Sequence, residues 1–177
     1  MAKTILITGA SSGIGAGMAR EFAKKGYNLA ICARRLERLE TLKQELESQY
    51  DIKVIAKTLD VTNYDQVFEV FRAFKEDFGT IDRIIVNAGV GEGRRIGKGN
   101  FAINKATVET NFISALAQCE AAVEIFRAQN SGHLVMISSM SAMRGMPKHL
   151  TAYGASKAGV AHLAEGIRAE LIDTPIK

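Results

Sequence analysis

The 177-residue sequence has two cysteines, three histidines and no apolar run near the ~20 residues that span a bilayer. Cys32 and Cys119 lie in apolar, helical or strand-like surroundings. They give neither a disulfide framework nor a metal-ligand spacing, which fits a reducing compartment. His133, His149 and His162 form no ligand spacing either, and no metal is expected. The opening run over residues 1–8 is short and runs into Gly9. It lacks the longer apolar region and small-residue cleavage site of a signal peptide, so a cytoplasmic location is expected. Internal repeats, low-complexity tracts and linkers are absent. Basic residues outnumber acidic ones only to a net charge of +4, and they are dispersed. That pattern argues against a nucleic-acid or membrane partner and suits a small ligand carrying phosphates.

What is present is a composition of 47% hydrophobic and 24% charged residues, that of one globular domain. Short runs rich in Ile, Val and Leu occur at 4–8, 28–32, 53–58, 83–86 and 133–137. Their nearly continuous apolar character predicts parallel strands covered on both faces. Helix-like stretches alternate with them at 13–25, 36–49, 64–78, 104–129 and 151–172. In the third, Val67, Val70, Phe71, Phe74 and Phe78 recur at three- and four-residue spacings, one stripe of a helix. Five strand–helix alternations predict an α/β fold: a doubly wound, Rossmann-like parallel sheet with helices on both faces. The glycine- and arginine-rich stretch at 91–99 reads as a mobile loop beside a site.

The first predicted strand ends in Thr8-Gly9-Ala10-Ser11-Ser12-Gly13-Ile14-Gly15 and passes directly into a helix. Glycines in this spacing let the backbone turn sharply and approach a pyrophosphate, to which the helix start offers free N–H groups. In a chain with 16 glycines the spacing alone is weak; its place between first strand and first helix gives it force. Two further motifs stand at the ends of later strands: Asp60-Val61 after the third, and Asn87-Ala88-Gly89 after the fourth. All three then line one crevice of a doubly wound sheet. The second strand runs into Ala33-Arg34-Arg35. An NAD-selective site usually places an acid there to bind the ribose 2′-hydroxyl, whereas arginines pair with a 2′-phosphate. NADP(H) is therefore the expected cofactor.

Tyr153 and Lys157 stand four residues apart, on one face of a predicted helix. The preceding strand runs into Ser138 and Ser139, the second of them 14 residues ahead of the tyrosine. A phenol is a poor base at neutral pH unless a neighbouring cation favours its phenolate, and the ammonium of Lys157 is such a cation.

These motifs, in this order and over essentially the whole chain, resemble the classical short-chain dehydrogenase/reductase family. The resemblance implies hydride transfer between NADP(H) and a small carbonyl or secondary-alcohol substrate. By it, Tyr153 is the general acid/base, Ser139 holds the developing oxyanion, and Lys157 also holds the nicotinamide ribose. Asn111 resembles the family's fourth catalytic member, which would kink its helix and hold a water leading to Lys157. Ser138 rivals Ser139; aligning Gly145 and Pro147 with the family's loop favours Ser139 and leaves one extra residue before Tyr153. By the same resemblance the cofactor is held by Gly9, Ser11, Ser12, Gly13, Ile14, Gly15, Arg34, Arg35, Asp60, Val61, Asn87, Ala88 and Gly89, with Tyr153 and Lys157. Pairing of the 104–129 helix with the Tyr153 helix across a two-fold axis would give a homodimer or homotetramer. The excess of apolar positions at Val108, Phe112, Leu116, Cys119, Val123 and Phe126 suits that arrangement, or else cover by a further C-terminal segment.

Residues 1–177 read as a single dinucleotide-binding catalytic domain. Family members continue through a sixth strand, a Pro-Gly motif, a substrate loop and a seventh strand, so the expectation is of a C-terminally incomplete domain. A complete 177-residue product would instead be an NADP(H)-binding or interaction protein without turnover. Substrate identity and the direction of reaction are not legible in these residues.

Overall fold

The computed structural model describes residues 2–146 and 148–177, so Pro147 of the loop alignment lies outside them. Five strands form one parallel sheet: β1 (Thr4–Thr8), β2 (Asn28–Ala33), β3 (Val54–Thr58), β4 (Arg83–Val86) and β5 (His133–Met136). Their order in space is β3-β2-β1-β4-β5. The chain winds outward from β1 first to one side and then to the other, so the order reverses between β1 and β4. A crevice opens beyond the strand C-termini at such a reversal.

The helices are α1 (Gly13–Lys24), α2 (Leu36–Gln49), α3 (Tyr64–Phe78), α4 (Phe101–Val108), α5 (Ser114–Gln129) and α6 (Thr151–Glu170). Alternation along β1 divides the core in two. Ile5 and Ile7 face one side, where Leu39, Leu42 and Leu46 of α2 close over them. Leu6 faces the other, against Phe71 and Phe74 of α3 and Phe126 of α5. All nine of these side chains are at most 4% exposed. Burying each contributes about 1.5–3 kcal/mol, which secures the strand ends that carry the motifs.

The predicted 104–129 helix is three segments. It begins earlier, at Phe101, and between α4 and α5 the backbone opens into a π-helical turn over Glu109–Ile113. β2 runs one residue past its predicted end, because Ala33 pairs with Thr58 of β3. α6 stops at Glu170 rather than at 172. The last two residues pair in parallel with the outer edge of β5: Lys177 N donates to Gly132 O at 2.9 Å and Leu134 N to Lys177 O at 2.7 Å. Among the described residues, no helix is long and apolar enough to cross a membrane.

Candidate active site

Thr8, at the end of β1, fixes the neighbouring loops. Its Oγ1 accepts the backbone N–H groups of Asn87 and Ala88, each at 3.1 Å. The Asn87 side chain returns the contact, its Nδ2 donating to Thr8 O at 2.8 Å. The Asn87-Ala88-Gly89 turn is thereby stapled across the sheet to the glycine loop.

Within that loop Gly13 has φ of 55° and Gly9 has φ of 67°. A Cβ at Gly13 would meet nothing within 4 Å, so this backbone faces open space. A Cβ at Gly15 would collide with the Gly9 carbonyl, so the loop closes onto α1 only with glycine there. Ser12 occupies the N-cap of α1 without bonding the helix amides, and no acid stands in the first turn. The partial positive charge and free N–H groups at this helix start remain available to an anion.

Above this cradle lies a cleft of about 350 Å³. Gly9, Ser11, Ser12, Gly13, Ile14 and Gly15 line its floor, and Arg34 and Arg35 line the wall that follows β2. Asp60 and Val61 come from the end of β3, and Asn87, Ala88 and Gly89 from the end of β4. Tyr153 and Lys157 close the far end. Every residue assigned to the cofactor from the sequence thus lines one cleft. Leu59, Val90, Gly91, Thr110, Ile137 and Ser138 line it as well. Apart from Ser138, the rival serine, these lie beside the motif positions, where nothing in their residue types sets them apart.

The two ends of the cleft differ in charge. Arg35 donates through one guanidinium nitrogen to both Ser11 Oγ and Ser12 Oγ, each at 3.1 Å. This pulls a fixed cation over the mouth of the cradle. Ala33, which precedes the arginine pair, is buried and brings no charge. Asp60 is turned partly away from this end, its Oδ1 accepting the Thr62 hydroxyl at 2.8 Å and the Thr62 N–H at 3.0 Å.

At the other end, Tyr153 sits in the first turn of α6 with Lys157 one turn later. Lys157 is 7% exposed. Its Nζ donates to Ile137 O at 2.8 Å, and burial holds its pKa below the ordinary lysine range. Asn111 lies in the π turn, 1% exposed, and is outside the cleft lining. Its Oδ1 accepts Val90 N at 2.7 Å; its Nδ2 donates to Val90 O at 2.9 Å and to Ser156 Oγ at 3.1 Å. Ser156 in turn donates to Tyr153 O at 2.7 Å. A hydrogen-bonded chain therefore runs from the loop after β4, through Asn111, to the backbone of the tyrosine. Ser156, within the Tyr153–Lys157 segment, was not singled out from the sequence.

The two candidate serines separate clearly. Ser138 lines the cleft, but its hydroxyl donates to Lys157 O at 2.7 Å. Ser139 stands beside the cleft and caps a short 3-10 turn, Met140–Ala142. Its Oγ accepts from Ser141 N at 3.2 Å.

Comparison with known proteins agrees with this architecture. A model of the short chain dehydrogenase family matches residues 3–177. An uncharacterized oxidoreductase of Mycobacterium tuberculosis is 53% identical over 174 residues, which are 98% of this chain and 69% of that protein. An NADP-dependent 3-hydroxy acid dehydrogenase of Schizosaccharomyces pombe is 34% identical over 179 residues, covering 99% of this chain and 68% of that one. An alcohol dehydrogenase from the archaeon Thermococcus sibiricus, complexed with 5-hydroxy-NADP, superposes with a TM-score of 0.92 at 28% identity. The superposition covers 99% of this chain and 74% of that chain.

Proposed function

The chain belongs to the short-chain dehydrogenase family, and from that premise we propose that it is an NADP(H)-dependent carbonyl reductase or alcohol dehydrogenase with Tyr153 as its general acid/base. The observation that carries this reading is the continuity of one cleft, from Arg34 and Arg35 at one end to Tyr153 and Lys157 at the other. The backbone open at Gly13 and the uncapped start of α1 fit a pyrophosphate. The guanidinium held by Ser11 and Ser12 fits a 2′-phosphate, and an acid that would select the free hydroxyl is missing after β2. The NADP-dependent relative from Schizosaccharomyces pombe and the NADP-type complex of the Thermococcus sibiricus enzyme speak for the same cofactor.

When bound, the dinucleotide supplies the hydride. The protein's own part is to hold, orient and move a proton. Amides at the start of α1 and the two arginines hold the phosphates. Tyr153 gives its hydroxyl proton to the carbonyl oxygen in reduction and removes it from the alcohol in oxidation. Ser139 donates a hydrogen bond to the same oxygen as negative charge develops there. Lys157 faces the reacting end as an ammonium that releases its proton more readily than an exposed lysine, which suits it to resupply Tyr153. The Asn111–Ser156 chain fixes the backbone from which the phenol projects.

The test is turnover of a panel of ketones with NADPH, followed as loss of reduced-cofactor absorbance. Tyr153→Phe keeps the ring and removes the proton, so activity should fall at least about 100-fold while NADPH still binds. A Tyr153→Phe variant with near-normal kcat on an accepted ketone refutes the assignment.

A further inference from the structure

The hydroxyl of Ser139 is held by a single neighbour in a way that decides what it can do. Its Oγ accepts the backbone N–H of Ser141 at 3.2 Å and also the Ser141 hydroxyl at 3.0 Å. A serine oxygen has two acceptor lone pairs and one proton. When the Ser141 hydroxyl is the donor of that pair, both lone pairs of Ser139 are occupied and only its proton remains free. Ser138 is in the opposite condition, its proton already committed to Lys157 O.

Capping of the 3-10 turn needs only the backbone bond from Ser141 N. The second bond, from the Ser141 hydroxyl, is not needed for the turn. Ser141 is itself 8% exposed. Its carbonyl lies 3.2 Å from where a Cβ on Gly154 would be, so this loop packs on the first turn of α6, beside Tyr153.

We propose that Ser141 is a positioning residue: by filling both acceptor sites of Ser139, it leaves that hydroxyl able only to donate, toward the substrate's carbonyl oxygen. This rests on the role given to Ser139 above. Ser141 acts through Ser139 and does not touch the substrate. A Ser139 hydroxyl with a free lone pair has other uses, since it can accept from the alcohol product or rotate toward backbone acceptors. Each of these weakens its bond to the developing oxyanion.

A double-mutant cycle tests the proposal, because Ser141→Ala keeps the capping N–H and removes only the hydroxyl. On a ketone that turns over in the panel, Ser141→Ala should lower kcat about tenfold, the scale of one hydrogen bond. KM and NADPH affinity should stay within about twofold of wild type, since the lost bond strengthens only in the transition state. Ser139→Ala should lower kcat about 100-fold or more. Adding Ser141→Ala to Ser139→Ala should then cost less than about twofold, because residues acting as one unit are not additive. Ser141→Thr, which restores the hydroxyl, should recover most of the activity.

Crystal structures give a readout that needs no substrate. Ser139 should occupy one rotamer in the wild type and more than one, or a different one, in Ser141→Ala. A full tenfold loss in the Ser139→Ala background, an unchanged kcat in Ser141→Ala, or an unmoved Ser139 rotamer overturns the proposal. If Ser139→Ala alone leaves kcat nearly unchanged, it is the role of Ser139 that fails.

Discussion

Asn111 grips both backbone polar groups of Val90, accepting from its N–H at 2.7 Å and donating to its carbonyl O at 2.9 Å. The pair ties the loop after β4 to the π turn, and Gly89 lies against it. A Cβ at Gly89 would sit 3.0 Å from Asn111 Oδ1 and 3.4 Å from Lys157 Nζ. Asn111→Leu removes both bonds and leaves the Val90 amide without its partner at a partly buried site. Urea denaturation should show a loss of about 1–3 kcal/mol, and kcat should fall with it. A variant of unchanged stability would mean that the amide pair is replaced by other contacts.

Cofactor preference should follow the arginines. Wild-type protein should bind NADPH more than about tenfold tighter than NADH, a difference of about 1.4 kcal/mol. Arg34→Ala and Arg35→Ala should each reduce the preference, with little change in NADH affinity, and the double variant should abolish it. Calorimetric titration of both cofactors decides this, and equal affinities in the wild type contradict it.

Much of this was legible because the sheet is parallel and covered on both faces. Continuous apolar runs marked β1 and β4 to the residue, and the three- and four-residue stripe of Val67, Phe71 and Phe74 marked α3. The cofactor positions were legible because their motifs sit at strand ends, where chain order and fold coincide. The start of α4 was missed because Phe101 is 77% exposed and contributes to no buried stripe. The π turn at Glu109–Ile113 has no periodicity over five residues that distinguishes it from an ordinary helix, so only the family resemblance pointed to a kink at Asn111. The contacts of Ser141 and Ser156 were missed for another reason: hydroxyl bonds formed through folding leave no pattern in residue order.

The two cysteines should be inert in the native protein. Burial pushes the Cys119 thiol up to about 12, with Glu120 adding to the effect, and burial alone pushes Cys32 higher. Thiol reagents act on the thiolate. At neutral pH a disulfide-exchange reagent should label neither cysteine in native protein and both in denaturant. Rapid native labelling would show that one of the two sites opens.

The surface of the α5 region should pair with a second copy of the chain. Cys119 and Phe126 are buried against the sheet, while Ile113 and Leu116 are 37% and 39% exposed. Phe112, in the π turn that leads into α5, reaches across to Gly159, so α6 lies beside that turn. A two-helix face of this kind is self-complementary under two-fold symmetry. Light scattering across a dilution series should give a dimer or tetramer, and Leu116→Arg should shift it toward monomer without lowering the melting temperature. A monomeric, active wild-type protein at micromolar concentration rules the pairing out.

The central claim is hydride transfer from the cofactor to a carbonyl carbon, with Tyr153 supplying the proton. Its most direct measurement is the fate of the label when a turned-over ketone is reduced with NADPH deuterated at the transferable C4 position. Mass spectrometry of the alcohol should find one deuterium, on the carbinol carbon, and the Tyr153→Phe variant should form almost no alcohol. Alcohol formed without the label, or formed at a near-normal rate by Tyr153→Phe, would contradict the account.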